Sequence, residues 1–142
     1  MAIRKSNAVW NGGLQDGNGT MKLGSGAFEG KYSFSSRFED GTGTNPEELL
    51  AAAHAGCFSM ALAAGLGRAG FSPKRVASEA RVQLLKNDAG LAITRIELDV
   101  EAEVPGIDAA TFAQQAEATK ASCIISRALS PDIQVVLSAR LV

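Results

Sequence analysis

The chain has 142 residues, 46% of them apolar and 20% charged, with a formal charge of -1. That length supports a single domain with a real core, and the balanced charge excludes the polyelectrolyte field that draws nucleic acid or anionic membranes. Two cysteines, and a start, MAIRKSNAVW, without the apolar run of a signal peptide, point to a reduced cytoplasmic setting and away from a disulfide framework.

In chain order, residues 3–11 read as a strand ending in Val9 and Trp10, followed by the turn-rich stretch 12–19. Residues 20–23 and 31–34 are two more short strands, and residues 35–39 lead into a glycine-rich loop, 40–44. A helix then opens at Pro46. Asn45 can accept from the first free amides, Pro46 gives up an N–H that would be unpaired there, and Glu48 supplies the far half of a capping box.

From Leu49 to Leu66 no residue is charged, and His54 and Ser59 are the only strongly polar ones, so this helix expects burial on every face. Gly65, Gly67 and Gly70 loosen and stop it. The run is long enough to raise the question of a membrane span, for which about 20 apolar residues are needed. Its alanines, its glycines, His54 and the two carboxylates at its start make it a poor one. A buried helix is expected, and one 142-residue chain offers too little cover for it. A two-fold dimer with the two central helices near each other would supply the rest.

Beyond a turn at Phe71, Ser72 and Pro73, residues 75–86 and 92–104 alternate as two long strands of a hairpin, with Asp88 and Gly90 marking the turn. Glu97, Asp99, Glu101 and Glu103 form a row expected to face solvent and not to bind metal. Asp108 caps a helix reaching about residue 121, a short helix carries Cys123 in its first turn and stops before Pro131, and residues 133–141 form a last strand. The order of elements defines an α+β fold in one domain, 1–142.

The chemistry rests on thiols. Cys57 sits mid-helix behind Gly56, which leaves room for close approach, and Cys123 at a helix start gains from the positive end of that helix. A redox pair and two unconnected core thiols both fit these residues. Arg37, at a strand exit, is a candidate to favour a thiolate, with Glu47 as its natural partner. Ten helical residues separate Glu47 from Cys57, about 15 Å along the axis, so a Glu47 serving the Cys57 site must come from the other subunit. His54, three residues before Cys57, has no Asn or Asp placed to orient it as a hydrolase base, and is read as a core or interface histidine. His54, Cys57 and Cys123 give at most three metal ligands, with no CxxC or HxxxH spacing, so no metal site is expected.

The stretches SSRFEDGTGTNPEELLAAAHAGCFSMAL and VPGIDAATFAQQAEATKASC resemble the OsmC branch of the OsmC/Ohr hydroperoxide reductases, and the likeness runs over almost the whole chain. The resemblance implies antiparallel strands around a long buried central helix, an intertwined homodimer with its sites at the subunit interface, and a peroxidase without a cofactor. Its arginine, glutamate and two cysteines fall on Arg37, Glu47, Cys57 and Cys123. The implied reaction oxidises Cys57 to a sulfenic acid, closes a Cys57–Cys123 disulfide and resets it with an external dithiol such as a lipoyl group. Phe38, Leu49, Leu50 and Phe58 are expected as apolar walls favouring organic hydroperoxides over hydrogen peroxide. Family members commonly carry proline after the second cysteine; here it is Ile124, which leaves that helix start less fixed and predicts slower resolution. A non-catalytic binding module for a lipid-like molecule and a cysteine hydrolase dependent on His54 are the competing classes.

Overall fold

A computed structural model describes residues 1–142, which form two compact units, Met1–Leu49 and Leu50–Val142. In the first, β1 (Ser6–Asn11), β2 (Asn18–Leu23) and β3 (Glu29–Tyr32) make an antiparallel meander in the order β1-β2-β3. The first strand starts three residues later than expected from Ile3, and β3 stops at Tyr32, short of Phe34. The reason for the second difference is local. Ser33 and Ser36 form a reciprocal capping box, the Ser33 side chain accepting from the Ser36 amide while Ser36 Oγ accepts from the Ser33 amide. Residues read as the way into a loop therefore form α1 (Phe34–Phe38).

The following loop ties α1 to the start of α2 (Pro46–Arg68). Ser36 Oγ donates to the Thr44 carbonyl and the Asn45 amide side chain donates to the Ser36 carbonyl, at 2.7 and 3.0 Å. Asn45 Oδ1 accepts from the Glu48 amide as expected. Glu48 does not close the box: its carboxylate takes the Thr44 hydroxyl instead, at 2.8 Å.

In the second unit β4 (Arg75–Asn87) and β5 (Gly90–Glu103) form the expected antiparallel hairpin. The Asn87 side chain accepts from the Ala89 amide, and Gly90 takes a φ of +114°, a conformation that favours glycine. The last strand, β6 (Gln134–Leu141), runs parallel to β5, so the sheet β4-β5-β6 is mixed and not antiparallel throughout. A parallel return requires a long crossover, supplied here by α3 (Ala109–Ser122) and α4 (Ile124–Ala128). Asp108 caps α3 by accepting from the Thr111 amide. The β5 side chains divide cleanly. Ile96, Leu98, Val100 and Ala102 are buried, while Glu97 and Asp99 on the other face meet Arg81, Arg95 and Arg140. The acidic row is thus a half-exposed lattice of ion pairs between strands, and not a bare solvated face.

The core of this unit brings Phe58, Leu62 and Leu66 of α2 onto Leu98, Val100 and Ala102 of β5, Phe112 of α3 and Cys123. These α2 residues recur every four positions, together with His54, and make a single buried stripe. The helix is therefore not enclosed on all sides within one chain: Met60 is 77% exposed, and Ala53, Gly56, Ala64 and Gly67 share the exposed side. α2 is long and apolar enough to cross a membrane by length and composition alone, yet its stripe is spent on this core. Gly70, at φ +92°, ends it, with the Phe71 amide returning to the Leu66 carbonyl. Leu62 has no exposed surface. Leu62→Ala should lower the unfolding free energy by about 2–5 kcal/mol, read as a reduced urea midpoint with an unchanged slope.

Candidate active site

The two cysteines, 66 positions apart in sequence, meet. Their sulfurs lie 3.1 Å apart, well outside the S–S bond of about 2.05 Å, and both thiols are free. Two local features make this meeting. Cys57 lies on α2 beside the buried stripe, one position before Phe58. Cys123 is the residue at which α3 ends and α4 begins, its backbone at φ -55° and ψ 124° breaking the helical run. Its amide still donates to the Thr119 carbonyl, and its carbonyl accepts from the Arg127 amide, so the joint is held on both sides. The sequence reading put Cys123 inside the first turn of the short helix; it is the residue just before that turn, and its side chain makes no capping hydrogen bond.

The two thiols differ in access and in acidity. Cys123 is 0% exposed, whereas Cys57 is half-buried. Burial pushes the Cys57 thiol up, and its contact with Cys123 adds to that, against smaller help from the Ile125 and Ile124 amides. Burial also opposes ionisation of Cys123, but the Ser126 and Ile125 amides, the Ser126 hydroxyl and the Cys57 thiol together bring it down. Ionisation of two sulfurs in contact is linked, and here it leans away from Cys57 and towards Cys123.

Arg37 and Glu47 form the second expected pair. Both belong to the first unit, and the partner of Arg37 is Glu47 of its own chain: Nε lies 3.2 Å from each carboxylate oxygen and Nη2 lies 2.7 Å from Oε1. Such a two-point fork fixes the guanidinium plane. α1 and the opening turn of α2 carry the two residues, and the Ser36, Thr44 and Asn45 hydrogen bonds hold those elements together. The Arg37 guanidinium also lies 5.2 Å from the Phe38 ring centroid. Trp10, Leu14, Tyr32, Phe34, Phe38 and Arg37 line a cleft of about 220 Å³ in this unit. Of the expected apolar walls, Phe38 lines that cleft, and Leu49 and Leu50 are half-buried. Phe58 has no exposed surface and packs in the core instead, because it falls on the buried stripe of α2.

His54 is fully buried, and its Nε2 lies 2.6 Å from Ser126 Oγ while Nδ1 has no partner. Ser126 was not singled out from sequence; its spacing of three residues from Cys123 on α4 was the available signal.

Solved structures with this arrangement of strands and helices include OsmC and Ohr proteins. The chain superposes on the organic hydroperoxide resistance protein OhrB of Bacillus subtilis with a TM-score of 0.76, 23% identity, and coverage of 96% of this chain and 98% of that one. For an OsmC-type organic hydroperoxide resistance protein of Legionella pneumophila the TM-score is 0.73 at 22% identity, with 98% of each chain covered. These define the fold. Residues 39–138 match the family described as OsmC-like protein, and the peroxiredoxin OsmC of Escherichia coli (strain K12) is 49% identical over 131 residues, 92% of each chain. The chain belongs to the OsmC family.

Burial holds the His54 imidazole below its ordinary value of 6.5. The unfolded chain therefore binds a proton, as pH falls through about 6.5, that the folded chain still refuses, so the stability this group contributes above that pH is lost below it. The urea midpoint of the wild-type protein should drop between pH 7.5 and pH 5.5, and His54→Gln should flatten that drop; equal slopes against pH would contradict the assignment.

Proposed function

We propose that the protein is a thiol-dependent peroxidase that reduces organic hydroperoxides, and hydrogen peroxide less well, in the cytoplasmic response to oxidative stress. The observation that carries this reading is the pair of sulfurs 3.1 Å apart with unequal exposure. The half-buried Cys57 is the sulfur a peroxide can reach, and the enclosed Cys123 is the one that waits for it. The 49% identity to a peroxiredoxin OsmC supports the same class.

Cys57 attacks the distal peroxide oxygen as its thiolate. The O–O bond breaks, alcohol leaves with a proton, and Cys57 becomes a sulfenic acid. Cys123 thiolate then attacks the Cys57 sulfur, water leaves, and the disulfide forms. An external dithiol, such as a lipoyl group, restores both thiols by exchange, with no bound cofactor. Burial pushes the Cys57 thiol up, so the first step needs its thiolate favoured. A guanidinium beside Cys57 would favour it and polarise the peroxide.

In this reading the partner subunit's Arg37, oriented by Glu47 of the partner subunit, completes the Cys57 site of a two-fold dimer. Supporting it are the ten-residue spacing of Glu47 from Cys57 on one helix and the exposed α2 side of Ala53, Gly56, Met60, Ala64 and Gly67, which leaves room for a second helix. The cleft beside Arg37, with Phe38, suits the organic part of the substrate, and Leu49 and Leu50, half-buried in the opening turns of α2, are further candidate apolar walls.

Turnover of cumene hydroperoxide with a dithiol tests the chemistry. Cys57→Ser should lose it by roughly a thousandfold or more, and Cys123→Ser should retain the first oxidation but fail to form the disulfide. Full activity in Cys57→Ser would end the proposal. Sedimentation equilibrium should give twice the 14.7 kDa chain mass, and a monomer would contradict the shared site.

A further inference from the structure

His54 is the one histidine in the chain, and it has no exposed surface. It lies four residues before Phe58 on the buried stripe that continues through Leu62 and Leu66, where an apolar side chain would fill the space without the cost of desolvating an imidazole. The ring makes one hydrogen bond there, between Nε2 and Ser126 Oγ at 2.6 Å, and Nδ1 is left unpartnered. That bond stands in either neutral tautomer, because a hydroxyl both donates and accepts. It is also the only side-chain hydrogen bond that joins α4 to another element.

α4 needs such a tie. It is five residues long, none of them is buried, Cys123 gives it no side-chain cap, and Ile124 at its first position is 72% exposed and has no ring to restrict φ there. The tie stands beside the sulfurs. His54 and Cys57 are three residues apart on α2, and Cys123 and Ser126 are three apart across the opening turn of α4, which the Arg127 amide closes onto the Cys123 carbonyl. The 2.6 Å hydrogen bond and the 3.1 Å sulfur contact are therefore successive rungs between the same two segments. Any shift of α4 away from α2 changes both at once.

We propose that His54 and Ser126 are positioning residues whose hydrogen bond clasps α4 to α2 and holds the Cys123 sulfur at attacking distance from Cys57, so that it governs closure of the disulfide and not the first oxidation. The proposal deepens the peroxidase reading and rests on it. In the closing step the Cys123 sulfur bonds to the sulfur of the Cys57 sulfenic acid, the S–O bond breaks, and the hydroxyl group leaves with its electron pair and takes up the Cys123 thiol proton as water. The two cysteines together have then lost two electrons to the peroxide, whose O–O bond broke in the first step. His54 and Ser126 give up no proton in this step. Their part is to keep two reacting groups within reach, and a misplacement of about 1 Å can slow such an internal reaction roughly a hundredfold. The first step needs no such alignment, since peroxide comes to the half-buried Cys57 from outside.

The experiment uses the full chain and two readouts. The first is a single turnover with one equivalent of cumene hydroperoxide, in which dimedone trapping of the Cys57 sulfenic acid is compared with the rate of disulfide formation. The second is the equilibrium between the two thiols and the Cys57–Cys123 disulfide in mixtures of reduced and oxidised dithiothreitol, which needs no peroxide. Ser126→Ala and His54→Leu should oxidise Cys57 within about threefold of the wild-type rate, close the disulfide roughly tenfold more slowly, and shift the equilibrium roughly tenfold towards the thiols. Ser126→Thr, which keeps the hydroxyl, and His54→Gln, whose side-chain amide takes the place of Nε2, should return closure and equilibrium to within about threefold of wild type. Wild-type behaviour of Ser126→Ala in either readout overturns the proposal. So does a first oxidation slowed as much as closure, which would make the bond a general support of the fold, and so does His54→Gln failing as badly as His54→Leu. Should His54→Leu not fold, the Ser126→Ala and Ser126→Thr comparison decides. A wild-type protein inert to cumene hydroperoxide would sink the peroxidase reading alone, and the dithiothreitol equilibrium would still decide on the clasp.

Discussion

Contact between the Cys57 and Cys123 sulfurs is the constraint on which the second unit depends. One thiol stands beside the buried stripe of a long helix and the other at a break between two helices, so the 3.1 Å approach needs both elements in register. The register comes from apolar packing. Phe58, Leu62 and Leu66 fix the rotation and height of α2 against β5 and Phe112, and Cys123 itself belongs to the same core. The parallel return to β6 forces a crossover, and that crossover supplies the α3–α4 joint that aims Cys123. Closing the disulfide then asks for a movement of only about 1 Å between sulfurs.

Placing two sulfurs so near each other divides their labour. The surroundings of the two sulfurs act in opposite directions: those of the enclosed Cys123 bring its thiol down, while burial pushes the more accessible Cys57 up. The first unit carries a cation in a rigid form: Arg37 is held at two points by Glu47, and the short capped helix α1 keeps the pair in place.

Elements with a strong periodic signal were legible from the chain alone. The α2 start at Pro46, the long hairpin of β4 and β5, and the Asp108 cap of α3 follow from side chains whose effect is local. The α1 helix was not, because its signal is a pair of serines, Ser33 and Ser36, in a stretch rich in other polar residues. The direction of β6 is set by the crossover and leaves no mark in its own alternation. Which face of α2 its own chain covers was not legible, since a helix of uniformly apolar composition gives no clue to it. The family resemblance singled out Arg37, Glu47, Cys57 and Cys123, and the fold pairs Arg37 with Glu47 and Cys57 with Cys123, but the acidity order of the two thiols was not legible. That order depends on amides at the start of α4 and on Ser126, contacts that only the folded backbone brings to the sulfur.

The central claim is that these two sulfurs form one redox centre in which Cys57 is oxidised first and Cys123 captures it. Mass spectrometry of the reduced protein after one equivalent of an organic hydroperoxide tests this most directly, with peptide mapping under non-reducing conditions. The account predicts a Cys57–Cys123 disulfide as the main product, and a sulfenic acid on Cys57 when Cys123 is replaced by serine. Intact thiols after complete mixing, or oxidation confined to Cys123, would contradict it.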